Sequence, residues 1–149
     1  MPLTFQPLLP DHPLCLASLT LMRILRPHLD DAERYQAQLQ RQAAQGYRLL
    51  AALEEGEVIG LAGYRELENL LYGRFFYVDD LVVQPARQRD GLGGRLLAAV
   101  RSEALDRGCS HLILDTGLHM PLAQRFYFRQ GLLARGLHFA ERLTGAVTP

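Results

Sequence analysis

A glycine-rich loop between a strand pattern and a helix pattern constrains this chain most. The stretch "FFYVDDLVV" (residues 75–83) is rich in aromatic and β-branched residues, which is typical of a strand, and Pro85 ends it. After the loop "QPARQRDGLGG" (residues 84–94), the sequence "GRLLAAVRSEALDRG" predicts an amphipathic helix from near Gly93 to Gly108. The first amides of a helix lack partners, and glycine lets a ligand approach them closely. The loop therefore predicts an anion site, most naturally for phosphates.

Two common nucleotide-binding motifs do not fit this loop. The P-loop requires Lys and Ser or Thr directly after its last glycine, and Arg95 and Leu96 follow Gly94 instead. The dinucleotide-binding motif G-x-G-x-x-G requires a third glycine where this chain has Leu96. Two interpretations of the residues remain open, a cradle for another phosphate ligand and a glycine-rich surface turn with solvated arginines.

The other sequence patterns predict an α+β fold with a mixed, mostly antiparallel sheet. A hairpin at residues 47–67 turns at Gly56, and the strand–loop–helix–strand unit that ends in "SHLILD" implies one parallel pair. Short strands are expected first and last in the chain, at residues 3–9 and 137–143. Four helices are expected, at residues 13–29, 30–46, 94–108 and 121–131.

Composition narrows the class of protein. The 149 residues suit one ordinary domain, residues 1–149, and 16 basic residues balance 16 acidic ones, which argues against nucleic-acid binding by bulk charge. No apolar run is long enough for a membrane span, and the N-terminus does not have the pattern of a signal peptide. Two distant cysteines favour free thiols in the cytoplasm, and the five histidines form no metal-ligand spacing. We therefore expect a cytoplasmic protein without a metal.

Two motifs carry a resemblance to a known family. The loop has Gln88, Gly91 and Gly93 at the spacing [RQ]-x-x-G-x-[GA], with Pro85 three residues before Gln88. A later segment, "MPLAQRFYFRQGL", matches N-x-x-A-x-x-F-Y-x-x-x-G-F at four positions, namely Ala123, Phe126, Tyr127 and Gly131. Together they resemble the GNAT family of N-acetyltransferases over nearly the whole chain. The segment departs from the family in having Met120 for the Asn that often touches the pantetheine, and Leu132 for the terminal Phe.

The resemblance implies acetyl-coenzyme A as co-substrate and a sheet in which the strand before the loop splays away from its parallel neighbour. The main chain of residues 88–94 is expected to hold the pyrophosphate, and that of Leu81 and Val83 to pair with the pantetheine arm. The expected cofactor-binding residues are Leu81, Val82, Val83, Gln88, Arg89, Asp90, Gly91, Leu92, Gly93, Gly94, Arg95, Ala123 and Phe126.

Acetyl transfer to an amine also needs a base and benefits from an acid. Asp79 and Asp80 lie on the strand before the loop, where alternation predicts opposite faces of the sheet. Alignment to the family through the loop favours Asp79 as base and leaves Asp80 as base or amine-binding residue. The alternative is a pair of edge carboxylates, or a carboxylate paired with an arginine such as Arg65. Tyr127 matches the tyrosine of the family that protonates the thiolate. The alternative to this catalytic role is that Tyr127 packs in the core as part of an aromatic stripe on its helix.

The resemblance therefore predicts direct transfer of an acetyl group to a primary amine of a small molecule or peptide, in a ternary complex. Two other functions stay open, a protein lysine or N-terminal acetyltransferase and a non-catalytic module that binds acetyl-coenzyme A. Neither a nucleic acid nor a membrane is expected as a partner, and both a monomer and a homodimer fit the sequence. The acceptor amine is not specified by any motif, although His138 is a candidate to line its pocket.

Overall fold

The computed structural model describes residues 2–145, which form two compact units. The first unit ends at Leu114, and the second begins at Asp115. The first unit contains strands β1 (Thr4–Pro7), β2 (Tyr47–Glu54), β3 (Glu57–Asn69), β4 (Gly73–Val83) and β5 (His111–Leu114). It also contains helices α1 (Leu14–Leu25), α2 (Ala32–Ala44) and α3 (Leu92–Asp106), and the second unit contains α4 (Pro121–Arg129).

The five strands form one sheet in the order in which they occur along the chain. Strands β1 to β4 are antiparallel, whereas β4 and β5 are parallel, so the predicted mixed sheet with four helices is confirmed. The parallel pairing is short, from Phe75↔His111 to Val78↔Leu114. Strand β4 continues to Val83, and its last five residues have no pairing with β5.

The sheet separates two hydrophobic clusters. Helices α1 and α2 pack on one face, where Tyr47, Leu49, Ala51 and Leu61 of the sheet are buried with Leu19 of α1. The long amphipathic helix α3 packs on the other face, and Leu96 and Val100 bury their side chains there beside Phe76. The end of β4 that has no pairing with β5 is followed by the loop that leads into α3.

The predicted last strand at residues 137–143 is wrong. The structure has no helix or strand in this stretch, and Leu137 and Phe139 are exposed. Alternating apolar residues indicate a strand only when a neighbouring strand is available for the hydrogen bonds. Within residues 2–145, no strand pairs with this segment.

Neither a membrane span nor a metal cluster occurs in the described part of the chain. No helix within residues 2–145 has both the length and the apolar character needed to cross a bilayer. In the same residues, no three or more His, Cys, Asp or Glu side chains come together as metal ligands would. Cys15 and Cys109 are free and buried.

Candidate active site

Gly91 shapes the junction between the loop and α3. Its φ of 75° and ψ of 11° are left-handed, a conformation that glycine adopts without steric cost, and no atom lies within 4 Å of where its Cβ would stand. The helix begins at Leu92, so Gly93 and Gly94 lie within its first turn. The side chain of Leu92 is buried in the core, and only its main chain remains for the expected role in binding.

Four consecutive amides at this junction have no hydrogen-bond acceptor in residues 2–145, those of Gly91, Leu92, Gly93 and Gly94. The amide of Arg89 is also without one, whereas the amides of Gln88 and Asp90 donate to carbonyls of the loop itself. The unbonded donors point where the helix dipole is positive. The arrangement can bind an anion with several charge-assisted hydrogen bonds, each contributing roughly 1.5–3 kcal/mol.

Arg87 connects this loop to strand β2 by hydrogen bonds. Its Nη1 and Nη2 donate to the two carboxylate oxygens of Glu54 at 2.7 and 3.2 Å, and its Nε donates to Asp90 Oδ2 at 2.6 Å. These bonds from Arg87 hold the pKa of Glu54 below its usual value. Sequence reasoning missed Glu54, because 33 residues separate it from Arg87 and no motif connects them. The loop is thus held in place before any ligand binds.

The end of β4 presents an open edge that leads to the loop. The amide of Gln84 donates to the carbonyl of Ile59 at 2.9 Å, and Val82 lies opposite Leu61. Because hydrogen-bonded pairs alternate in an antiparallel ladder, the main-chain groups of Leu81 and Val83 point away from β3. They face the side on which pairing with β5 has ended. Their main chain is therefore available for an extended ligand, while the side chain of Val82 is buried in the core.

A β-bulge places the two aspartates of β4 on one face of the sheet. Asp80 pairs with Gly63 and Val78 pairs with Tyr64, so Asp79 is the extra residue in β4. A bulge interrupts the alternation of side chains, and the prediction that Asp79 and Asp80 point to opposite faces is wrong for that reason. Both side chains lie on the α1–α2 face, since each lines a cavity that also has residues of α2 in its wall.

Each of these carboxylates is held by an arginine. Asp79 accepts two hydrogen bonds from Arg65, from Nε and Nη2 at 2.8 Å each, which raise the pKa of the guanidinium. Asp80 accepts from Arg26 Nε at 3.0 Å and from the Tyr47 hydroxyl at 2.8 Å, and Arg26 Nη2 also donates to the main-chain oxygen of Asp79 at 2.8 Å. A carboxylate paired with Arg65 is the alternative to a catalytic base that the sequence analysis kept, and the structure shows this pair for Asp79. Each carboxylate still has lone pairs to accept a further bond.

Tyr127 lies on α4 in the second unit. Its side chain is partly buried, and burial raises the pKa of its hydroxyl, so the hydroxyl keeps its proton at neutral pH. The ring of Phe126 stands edge-on to it at a centroid distance of 5.2 Å, and Ala123 lies one turn earlier, also partly buried. His138 Nδ1 lies 3.2 Å from Asp115 Oδ2 in the same unit.

The chain is similar to known acetyltransferases in sequence and in structure. Residues 17–132 match the family described as "Acetyltransferase (GNAT) family". An aminoalkylphosphonate N-acetyltransferase of Salmonella typhimurium is 32% identical over 98 residues, which are 65% of this chain and 62% of that protein. The uncharacterized N-acetyltransferase YhfO of Bacillus subtilis is 34% identical over 84 residues, 56% of each chain. The match thus spans less than two thirds of the length of either relative.

Solved structures share the fold over nearly the full length. The aminoglycoside N-acetyltransferase AAC(6')-Iy, crystallised with CoA, superposes with a TM-score of 0.82 at 17% identity over 96% of both chains. The aminoglycoside acetyltransferase meta-AAC0020 from a soil metagenomic sample, crystallised with sisomicin, has a TM-score of 0.78 at 21% identity, over 95% of this chain and 97% of that one. At these identities the similarity establishes the fold alone.

Proposed function

Because this chain belongs to the acetyltransferase (GNAT) family, we propose that it transfers an acetyl group from acetyl-coenzyme A to a primary amine of a small molecule or peptide. One observation carries the proposal. The four free amides from Gly91 to Gly94 follow the open edge of β4 along the chain, after the loop of residues 84–90. A pyrophosphate and an extended arm attached to it need such donors in this order along the chain.

The donor groups fit acetyl-coenzyme A as co-substrate. The amides of Arg89 and of residues 91–94 would hold the pyrophosphate, and the exposed guanidinium groups of Arg89 and Arg95 would add charge around it. The main chain of Leu81 and Val83 would pair with the amides of the pantetheine arm. When bound, the co-substrate supplies an activated acetyl group as a thioester.

Asp79 is our proposed base, with Asp80 as the second candidate. An amine of lysine type has a pKa near 10.4, so neutralising it at pH 7 costs roughly 4–5 kcal/mol. The amine proton passes through a water molecule to the carboxylate, and the freed lone pair attacks the thioester carbonyl carbon. The pairing with Arg65 fixes the orientation of Asp79 without using all of its lone pairs.

Tyr127 is our proposed acid. When the C–S bond breaks, the electron pair goes to sulfur, and the Tyr127 hydroxyl donates its proton to the thiolate. The second proton that the nitrogen loses as the amide forms returns through water to the tyrosinate, which restores the Tyr127 hydroxyl. The raised pKa of Tyr127 supports this role, because the proton is present over the whole neutral range. The transfer is direct, in a ternary complex, since the residues around the two cavities include no serine or cysteine as a nucleophile.

The proposal is tested by release of free thiol from acetyl-coenzyme A across a panel of amines, aminoglycosides and peptides. We expect thiol release with at least one small amine, and a rise in melting temperature with acetyl-coenzyme A because a bound ligand stabilises the folded state. If the co-substrate raises the melting temperature but no amine is acetylated, the chain is a non-catalytic module. If acetyl-coenzyme A at millimolar concentration changes nothing, the proposal is overturned.

A further inference from the structure

The two cavities beside the aspartates adjoin one another along α2. A smaller one of about 160 Å³ contains Asp80, a larger one of about 380 Å³ contains Asp79, and Gln38 and Gln42 line both. The smaller cavity includes apolar side chains such as Met22 and Leu39. The larger one is lined only by polar and charged residues, namely Gln38, Arg41, Gln42, Gln45, Arg65 and Asp79. The larger cavity therefore suits a polar or charged group better than an apolar one.

The charges of the larger cavity do not cancel. Asp79 and Arg65 form a bidentate pair and neutralise each other. Arg41 also lines the cavity, is exposed, and has no ion-pair partner in residues 2–145. In the smaller cavity, Asp80 is likewise matched by Arg26. The net charge of the residues that line the two cavities is therefore +1, with histidine counted as neutral. Arg41 carries this unmatched charge.

Neighbouring amides add donors to this charge. Gln38 Nε2 donates to Gln42 Oε1 at 2.9 Å, so the side-chain carbonyl of Gln42 is already used. The side-chain NH₂ group of Gln42 has no acceptor among the side chains of residues 2–145. A guanidinium with carboxamide N–H groups beside it is the donor set that binds carboxylates, phosphates and phosphonates.

We propose that the acceptor carries an anionic group, a carboxylate, phosphate or phosphonate, in addition to its amine, and that Arg41 binds this group in the larger cavity. The inference rests on the proposed function, whose acceptor site it specifies. A polycationic acceptor such as an aminoglycoside meets a site of net positive charge and is disfavoured. The class of acceptor thus differs from that of the aminoglycoside acetyltransferases that share the fold.

The test compares acceptors that differ in the anion alone. β-Alanine and β-alaninamide have the same amine, and 2-aminoethylphosphonate has a stronger anion. We expect the wild-type kcat/KM to be about tenfold higher or more for β-alanine than for β-alaninamide, as one charge-assisted interaction implies. In Arg41→Gln this ratio falls about tenfold, with the change mainly in KM. Arg34→Gln is the matched control, an exposed arginine of the same helix outside both cavities, and should keep the ratio.

Binding separates this inference from the proposed function. Calorimetry with 2-aminoethylphosphonate, without acetyl-coenzyme A, should show affinity that Arg41→Gln weakens about tenfold and Arg34→Gln does not. If binding follows this pattern but no amine is acetylated, the anion site stands and the enzyme proposal fails. If amines are acetylated with no preference for an anion, or Arg41→Gln leaves the ratio unchanged, the anion site is overturned.

Discussion

The Tyr47 hydroxyl occupies the space in which a side chain at Gly63 would begin. An ideal Cβ at Gly63 falls well within 3.0 Å of Tyr47 Oη, closer than real Cβ contacts come. Gly63 lies opposite Asp80 across the β3–β4 ladder, and the Tyr47 hydroxyl donates to Asp80 Oδ2 at 2.8 Å. The absence of a side chain at this one position lets a tyrosine from β2 cross β3 and reach a carboxylate of β4.

Gly63→Ala should therefore displace the Tyr47 ring and destabilise the fold. Inserting one methyl group into a packed site typically costs about 1–3 kcal/mol, and urea denaturation measures the loss. Gly60→Ala is the matched control on the same strand, because its Cβ would meet its nearest neighbours at 3.4 Å, an ordinary contact. Equal stability of the two variants would contradict the role of Gly63.

Tyr35 makes stability sensitive to alkaline pH. Its hydroxyl is buried against Ser18 Oγ at 2.8 Å, and burial raises the pKa of Tyr35 to about 12. An unfolded tyrosine titrates near 10. Between pH 10 and 12 the unfolded state therefore loses this proton while the folded state keeps it, so stability falls as pH rises.

Tyr35→Phe should remove this contribution. We expect the free energy of unfolding of the wild-type protein to fall by roughly 2 kcal/mol more than that of the variant between pH 10 and 12. Chemical denaturation at each pH measures the difference between the two proteins, which cancels the titration of other tyrosines. Parallel curves would show that Tyr35 ionises as readily in the folded protein.

Helices, strands and turns that depend mainly on their own residues could be predicted from the sequence. The strand before the loop, the helix after it and the hairpin turn at Gly56 follow from residue type and period, and the structure has all three. The start of α3 at Leu92 lies one residue before the expected Gly93. Even the short parallel pairing of β4 with β5 follows from the order of elements.

Features that depend on distant partners could not be predicted in this way. The bulge at Asp79 is a mismatch in register between β3 and β4, and the residues of β4 alone do not reveal it. The bond from Arg87 to Glu54 and the fit of Tyr47 over Gly63 join positions far apart in sequence. The segment at residues 137–143 has the pattern of a strand but no strand beside it among residues 2–145.

The two aspartates should respond differently to neutralisation. Asp79→Asn removes the proposed base and should lower kcat about a hundredfold. Asp80→Asn leaves Arg26 without its counter-charge, and Asp80 is largely buried, so the variant should lose about 1–3 kcal/mol of stability. Asp106→Asn, an exposed residue at the end of α3, serves as control for both measurements. The reverse pattern, with kcat lost in Asp80→Asn alone, would assign the base to Asp80.

Tyr127→Phe tests the proposed acid. Without the hydroxyl, the thiolate must leave unprotonated or take a proton from water, so kcat should fall about a hundredfold. The KM for acetyl-coenzyme A should change little, because the ring remains in place. Phe128→Leu is the control on the same helix, an exposed aromatic residue whose loss should leave kcat intact. Unchanged turnover in Tyr127→Phe would assign the tyrosine to packing alone.

Arg87→Gln should loosen the loop that carries the free amides. The ion pairs of Arg87 with Glu54 and Asp90 are partly exposed and screened by solvent, so their loss should change the stability little. The cost should appear instead in binding, as a roughly tenfold higher KM for acetyl-coenzyme A, because ordering the loop must then accompany binding.

Arg48→Gln is the matched control for this variant. Arg48 also lies on the surface, pairs with Glu103 at 2.7 Å on the body of α3, and has no contact with the loop. Its loss should leave the KM for acetyl-coenzyme A unchanged. Steady-state kinetics at saturating amine, together with the rise in melting temperature that acetyl-coenzyme A produces, measures both variants. Equal values of KM would mean that the loop keeps its conformation without Arg87, and that the amides of residues 91–94 are positioned by the helix alone.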